Sequence, residues 1–172
     1  GLLTIIGKDI DDKYVAALKT QIIYPDMIRE QGKELKIVYT PLHGTGNLPV
    51  QRVLKELGFE NVYVVPEQEM PDGNFSTVSY PKPEDEKAFA LALALAKKVD
   101  ADVIMATDPD ADRLGVYAKD SVTGEYMSFT GNMSGMLIAE YLFREKTKTN
   151  TMPANPAMVT TIVTTNMTYP IS

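Results

Sequence analysis

Leu35-Lys36-Ile37-Val38-Tyr39, running into Thr40-Pro41-Leu42-His43-Gly44-Thr45-Gly46-Asn47, is the segment from which the fold can be read. Its first five positions are rich in β-branched and aromatic residues, as a strand requires. The glycines at 44 and 46 make the next stretch a strand-to-helix loop. Val50, Val53, Leu54 and Leu57 then recur on one face of a helix that Gly58 ends. Asn61-Val62-Tyr63-Val64-Val65 follows at once as a second strand, closed by Pro66. Strand, helix and strand in that order make an α/β unit.

Working outward, the upstream residues Asp9 to Gly32 carry a helical pattern through Tyr14, Leu18, Ile22 and Ile23, which Pro25 divides into two pieces. Downstream, Glu67 to Pro83 holds prolines and a Pro71-Asp72-Gly73-Asn74 turn and reads as a long ordered loop or lid. Glu84 to Val99 reads as one helix, with acidic residues in its first turn and Lys97 and Lys98 in its last, as the helix dipole favours. Ala101 to Ala106 is a buried third strand and Leu114 to Ala118 a fourth, with Thr123-Gly124 as a turn. Gly131 to Lys146 reads as a helix with Met133, Leu137, Ile138, Tyr141 and Leu142 available for burial, and Met158 to Thr165 as a further strand.

These elements predict a three-layer α/β domain with a mixed, mainly parallel sheet over residues 35–128. A helical lead-in at 1–34 precedes it, and an incomplete second α/β domain at 129–172 follows. Gly1 stands where an initiator methionine would, and the last residues come just after a β pattern, so both ends read as cuts within a longer chain.

Composition narrows the function. The 172 residues include 17 basic and 23 acidic ones, a net charge of −6 that disfavours a nucleic-acid partner. Hydrophobic residues make up 44% and charged ones 23%, as in an ordinary folded protein. The apolar run Ala88 to Ala96 is far short of the ~20 residues of a membrane span. There is no cysteine, which removes disulfides, thiolate metal sites and cysteine nucleophiles and fits a cytoplasmic protein.

The chemistry concentrates in Thr107-Asp108-Pro109-Asp110-Ala111-Asp112-Arg113, where the third strand ends. Open α/β sheets place ligands at the carboxyl ends of their strands. Asp108, Asp110 and Asp112 can converge there, and three carboxylates at one point repel one another unless a hard cation such as Mg²⁺ or Mn²⁺ sits among them. The plainer reading is a solvated acidic turn; the third aspartate, Arg113 and the strand context favour metal. An EF-hand loop starting at Asp108 would need Gly at its sixth and Glu at its twelfth position, where Arg113 and Lys119 stand. A phosphatase of the haloacid-dehalogenase type, with Asp108 as nucleophile, is the runner-up, and a non-enzymatic α/β interaction domain is a third reading.

Arg113 is a candidate phosphate contact through its guanidinium, or else a salt-bridge partner of the neighbouring aspartates. His43-Gly44-Thr45-Gly46 does not complete a G-x-G-x-x-G fingerprint, because Pro49 occupies the third glycine position. A tight turn with His43 hydrogen-bonded into it is the plainer reading. His43 is nonetheless a candidate substrate or phosphate contact, since its loop also leaves a strand's carboxyl end.

Three segments taken together, Thr40 to Gly46, Pro71 to Val78 with Pro81-Lys82-Pro83-Glu84, and Ala106 to Arg113, resemble the second domain of the α-D-phosphohexomutases, of the phosphoglucomutase/phosphomannomutase type. Thr130-Gly131-Asn132 is similar to the opening of that family's third domain. The resemblance implies phosphoryl transfer between a phosphoserine and a hexose phosphate through a hexose bisphosphate. It also implies Mg²⁺ held by Asp108, Asp110 and Asp112, with Arg113 contacting phosphate. The family's Thr-Ala-Ser-His-Asn-Pro serine loop, its Gly-Glu-x-Ser-Gly sugar loop and its fourth-domain phosphate loop occur nowhere in these 172 residues. The expectation is therefore a middle piece of a mutase, partnered by the remaining domains of its polypeptide and inactive alone.

Overall fold

The computed structural model describes residues 1–171. Its centre is a five-stranded sheet in the order β2-β1-β3-β4-β5, formed by β1 (Lys36–Thr40), β2 (Asn61–Val64), β3 (Val103–Thr107), β4 (Leu114–Lys119) and β5 (Tyr126–Phe129). β1 pairs in parallel with β2 on one side, in the register Val38 to Tyr63, and with β3 on the other, in the register Val38 to Ile104. β3 with β4 and β4 with β5 are antiparallel. The sheet is thus mixed, with three of the five strands parallel, as the sequence predicts.

The helices follow from connection handedness. The crossover from β1 to β2 runs through α3 (Asn47–Leu57). The crossover from β2 to β3 passes back over β1 through α5 (Ala90–Val99). Right-handed crossovers in opposite directions put their helices on opposite faces, which makes three layers. Val38, Ile104, Ala106 and Tyr117 meet Phe89, Ala92 and Ala96 in the main core, with Phe89 stacked 4.6 Å from Tyr117. Alternation sends Ile37 and Tyr39 to the other face, both buried. The alanines of α5 are why it can lie close on β1 and β3.

Before the sheet lie α1 (Lys8–Lys19) and α2 (Pro25–Gln31), divided at Pro25 as the sequence predicts. Arg52 of α3 holds α1 through Asp12. Asp100 and Gly58 end their helices in the left-handed conformation, at φ 57° and 101°.

Four local readings are corrected. Pro66 closes β2 but also opens a one-turn helix, α4 (Pro66–Glu69), occupying the N1 position where its missing N–H costs nothing. The helix expected from Glu84 begins later: Asp85 accepts a hydrogen bond from the Lys87 N–H, a 3₁₀ turn covers Glu86–Phe89, and α5 starts at Ala90. β5 is a strand that sequence alone did not single out. Met158 to Thr165 is not a strand. No partner pairs with it among the described residues, and Val159, Ile162 and Val163 are exposed. β-propensity without a ladder to join does not make a strand.

α6 (Gly131–Lys148) is capped by Thr130, whose hydroxyl accepts the Met133 N–H at 3.2 Å. Of the residues expected to be buried, Met133, Leu137 and Ile138 are exposed; the buried residues of this helix are instead Met136 and Glu145. Glu145 accepts a 2.6 Å hydrogen bond from the Tyr24 hydroxyl before α2 and a 2.9 Å one from Arg144, which hold its carboxyl down at about 2. No described helix is long and apolar enough to cross a membrane.

Candidate metal and phosphate site

β1 has β2 on one side and β3 on the other, so the loops after β1 and β3 leave the sheet side by side at its carboxyl edge. This reversal of strand order is the place where an open α/β sheet leaves a crevice. The two loops are fastened together. The Thr45 N–H donates to the Pro109 carbonyl at 2.8 Å, and the Thr45 hydroxyl donates to the same oxygen at 3.1 Å. A Cβ on Gly46 would meet the Thr107 hydroxyl at 2.6 Å and the Tyr39 hydroxyl at 2.8 Å, and those two oxygens are themselves hydrogen-bonded at 2.8 Å. Burial raises the Tyr39 pKa, with the Thr107 bond working against it.

On this frame the β3 loop turns at Ala111, whose φ of 60° is left-handed. Asp108, Asp110 and Asp112 each present a carboxylate oxygen, and the three oxygens all lie within 4.8 Å of one another. Opposed oxygens around a Mg²⁺ ion at about 2.1 Å stand about 4.2 Å apart, so small side-chain rotations would close this set on such a cation. The donors are hard oxygens, which suit Mg²⁺ or Mn²⁺. Asp108 is buried and accepts the Arg113 N–H at 3.1 Å, while Asp110 and Asp112 are exposed.

The Arg113 guanidinium is 3.3 Å from Glu84, 3.6 Å from Asp108 and 3.7 Å from Asp112. The charge of Glu84, foremost, raises its pKa further. Asp108, Asp110 and Arg113 face a cleft of about 460 Å³ together with Thr45, Tyr80 and Lys82. All four acidic and basic residues singled out in the β3 loop on sequence grounds, Asp108, Asp110, Asp112 and Arg113, therefore stand together at one edge of the sheet.

His43 is placed differently. It is buried, with φ at 64° following Leu42 at 47°, so two successive side chains occupy the left-handed region at about 1–2 kcal/mol each. Both ring nitrogens are engaged: Nδ1 is 2.9 Å from the Met70 carbonyl oxygen and Nε2 is 2.7 Å from the Thr77 hydroxyl. A carbonyl only accepts, so Nδ1 carries hydrogen, and in the neutral ring Nε2 accepts from Thr77. The His43 N–H donates to the Gln68 carbonyl at 2.9 Å.

Gln68 is fully buried; its oxygen accepts from the Thr40 hydroxyl at 2.7 Å and its amide donates to Thr77 at 3.3 Å. Asp72 fixes the outer turn of the loop by accepting from the Ser76 hydroxyl, the Ser76 N–H and the Asn74 N–H, which hold its carboxyl down at about 2. The lid expected at 67–83 is thus tied to the β1 loop by Gln68 and Thr77, which sequence reasoning had not singled out. Neither carries a motif of its own, since their roles arise only from chain segments meeting in space. Glu84, read as a helix-opening acid, is instead the nearest partner of Arg113.

Comparison with known proteins gives the family of the chain. A family described as "Phosphoglucomutase/phosphomannomutase, alpha/beta/alpha domain II" matches residues 12–124. A phosphoglucomutase of Staphylococcus saprophyticus is 35% identical over 167 residues, covering 97% of this chain and 29% of that protein. A phosphomannomutase of Mycoplasmoides pirum is 36% identical, covering 96% and 29%, and a glucose 1,6-bisphosphate synthase of mouse is 39% identical, covering 93% and 26%. A crystal structure of a phosphoglucomutase/phosphomannomutase family protein from Burkholderia thailandensis superposes with a TM-score of 0.51 at 29% identity, over 70% of this chain and 26% of that one. The chain therefore spans under a third of the length of these relatives. With the matched family covering more than half of its residues, including the acidic loop, the chain belongs to the phosphoglucomutase/phosphomannomutase family, in which it supplies the α/β/α domain II.

Proposed function

We propose that this chain is the metal-loop domain of a Mg²⁺-dependent phosphohexomutase. The observation that carries the reading is the convergence of the Asp108, Asp110 and Asp112 oxygens at the carboxyl edge of β3, beside a guanidinium and facing an open cleft. Mg²⁺ there would supply positive charge to the non-bridging oxygens of a phosphoryl group in transfer. The three aspartates would hold it, and Arg113 would meet a phosphate oxygen. Its present tie to Glu84 leaves the guanidinium half-exposed and able to exchange partners. His43 would serve from behind the cleft, holding the lid loop through Met70 and Thr77 and so setting where Tyr80 and Lys82 stand.

The names of the relatives, a phosphoglucomutase, a phosphomannomutase and a glucose 1,6-bisphosphate synthase, support the substrate class. Hexose phosphate and hexose bisphosphate are the proposed ligands. The nucleophilic serine would lie on another domain of the same polypeptide, because the family's serine loop occurs nowhere in this sequence. The 172 residues alone are then expected to give no turnover. The lack of cysteine supports a cytoplasmic setting.

The test is a Mg²⁺ titration of the 172-residue chain followed by amide chemical shifts, with monovalent salt at matched ionic strength as control. Shifts confined to residues 108–113 and the facing Thr45 are expected. Unmoved amides in that segment at about 10 mM metal, roughly tenfold above the Kd of weak divalent sites, would overturn the reading.

A further inference from the structure

We propose that Lys82 is an anion-binding residue of this cleft, its ammonium receiving the phosphate group of a ligand seated against the Asp108 to Arg113 loop. The proposal rests on the metal and phosphate reading above and adds to it a second cationic side chain lining the same cleft.

Charge is the first argument. Asp108, Asp112 and Glu84 surround one guanidinium and Asp110 adds a fourth carboxylate to the cluster, so even a bound divalent cation leaves that wall short of positive charge for a phosphate dianion. Arg113 is shared among Glu84, Asp108 and Asp112. Lys82 faces the same cleft and, among the described residues, pairs with no carboxylate; its ammonium lies 4.5 Å from the centroid of the Tyr80 ring. A cation held on an aromatic face keeps its charge available to an incoming anion, where a salt-bridged one must first release its partner.

Placement is the second. Pro81 and Pro83 fix the backbone on either side, and the Lys82 N–H donates to the Tyr80 carbonyl at 2.9 Å. Pro83 is buried against β4, its carbonyl oxygen only 2.6 Å from where a Cβ on Gly115 would stand. At its other end the loop is bound to His43 and Gln68. Lys82 therefore sits half-buried on a braced segment, and ordering its long side chain on a ligand costs less than it would on a free loop. A phosphate monoester and free phosphate share the chemistry recognised.

The experiment titrates the chain with glucose 1-phosphate, with inorganic phosphate, and with chloride at matched ionic strength, all without metal, reading the Tyr80, Lys82 and Arg113 amides. Both phosphates should move these resonances where chloride does not. A stronger response to the ester would assign the site to the sugar phosphate, and an equal one to the phosphate group as such. Lys82→Gln should weaken binding about fivefold, as loss of one partly exposed charge-assisted bond does, while Lys82→Arg restores it. Undiminished affinity in Lys82→Gln, or shifts that chloride reproduces, would overturn the proposal. A Mg²⁺ titration of Lys82→Gln should match the unsubstituted chain. A failure of the metal reading would show in that arm alone, with the metal-free phosphate arm still deciding Lys82.

Discussion

Gly44 and Pro109 touch so closely that a Cβ on the glycine would stand 2.4 Å from the Pro109 Cα and 2.6 Å from its carbonyl oxygen. Both obstacles are backbone, which cannot swing aside as a side chain could. Gly44→Ala should therefore separate the β1 and β3 loops and destabilise the chain by about 2 kcal/mol. Gly73→Ala is the control, since nothing lies within 4 Å of a Cβ there. Chemical denaturation should show the loss for the first variant and none for the second.

Ligand linkage gives a second test. If Mg²⁺ binds with a Kd of about 1 mM, 10 mM metal stabilises the folded chain by about 1.4 kcal/mol, a rise of a few degrees in Tm. Asp110→Asn should abolish most of that rise while leaving the metal-free Tm almost unchanged, because Asp110 is exposed and its side chain has no hydrogen-bond or ion-pair partner among the described residues.

His43 and Gln68 make a third. His43→Ala would leave the Met70 and Thr77 bonds unmade, at a cost of about 1–3 kcal/mol. Hydrogen exchange at residues 70–78 should accelerate, while the amides of β1 and β3 stay protected. Equal protection of the loop in the variant would show that the histidine does not brace it.

Acid stability is the fourth. The Tyr24 hydroxyl, then Arg144, hold the Glu145 carboxyl down at about 2 from an ordinary 4.5. A depressed folded pKa means stability present above the unfolded value and lost as pH falls through the folded one. The attachment of α6 to Tyr24 should thus weaken between about pH 4.5 and 2. Tyr24→Phe should flatten the Tm profile in that window and leave it parallel to the unsubstituted chain above pH 6.

The parallel half of the sheet was legible because its signals are local: an apolar run, a glycine loop, an amphipathic helix with Gly58 at its end. β5 was not, since Tyr126-Met127-Ser128-Phe129 is half exposed at a sheet edge and its strand state is decided by pairing with β4. The opposite error at Met158 to Thr165 has the same root, a strand-like composition without a neighbour. The aspartate cluster could be found because alternate spacing after a buried strand is itself geometric information. The Thr40–Gln68–Thr77–His43 network could not, because its members come from separate segments and only the folded chain brings them together.

The fastening of Thr45 to Pro109, with Gly44 wedged beneath, makes the floor of the cleft a single rigid plate. A plate pinned by main-chain contacts cannot gape. Whatever opening and shutting a ligand needs in order to come and go must then be performed by the surrounding walls, with this domain serving as the fixed anvil against which they move.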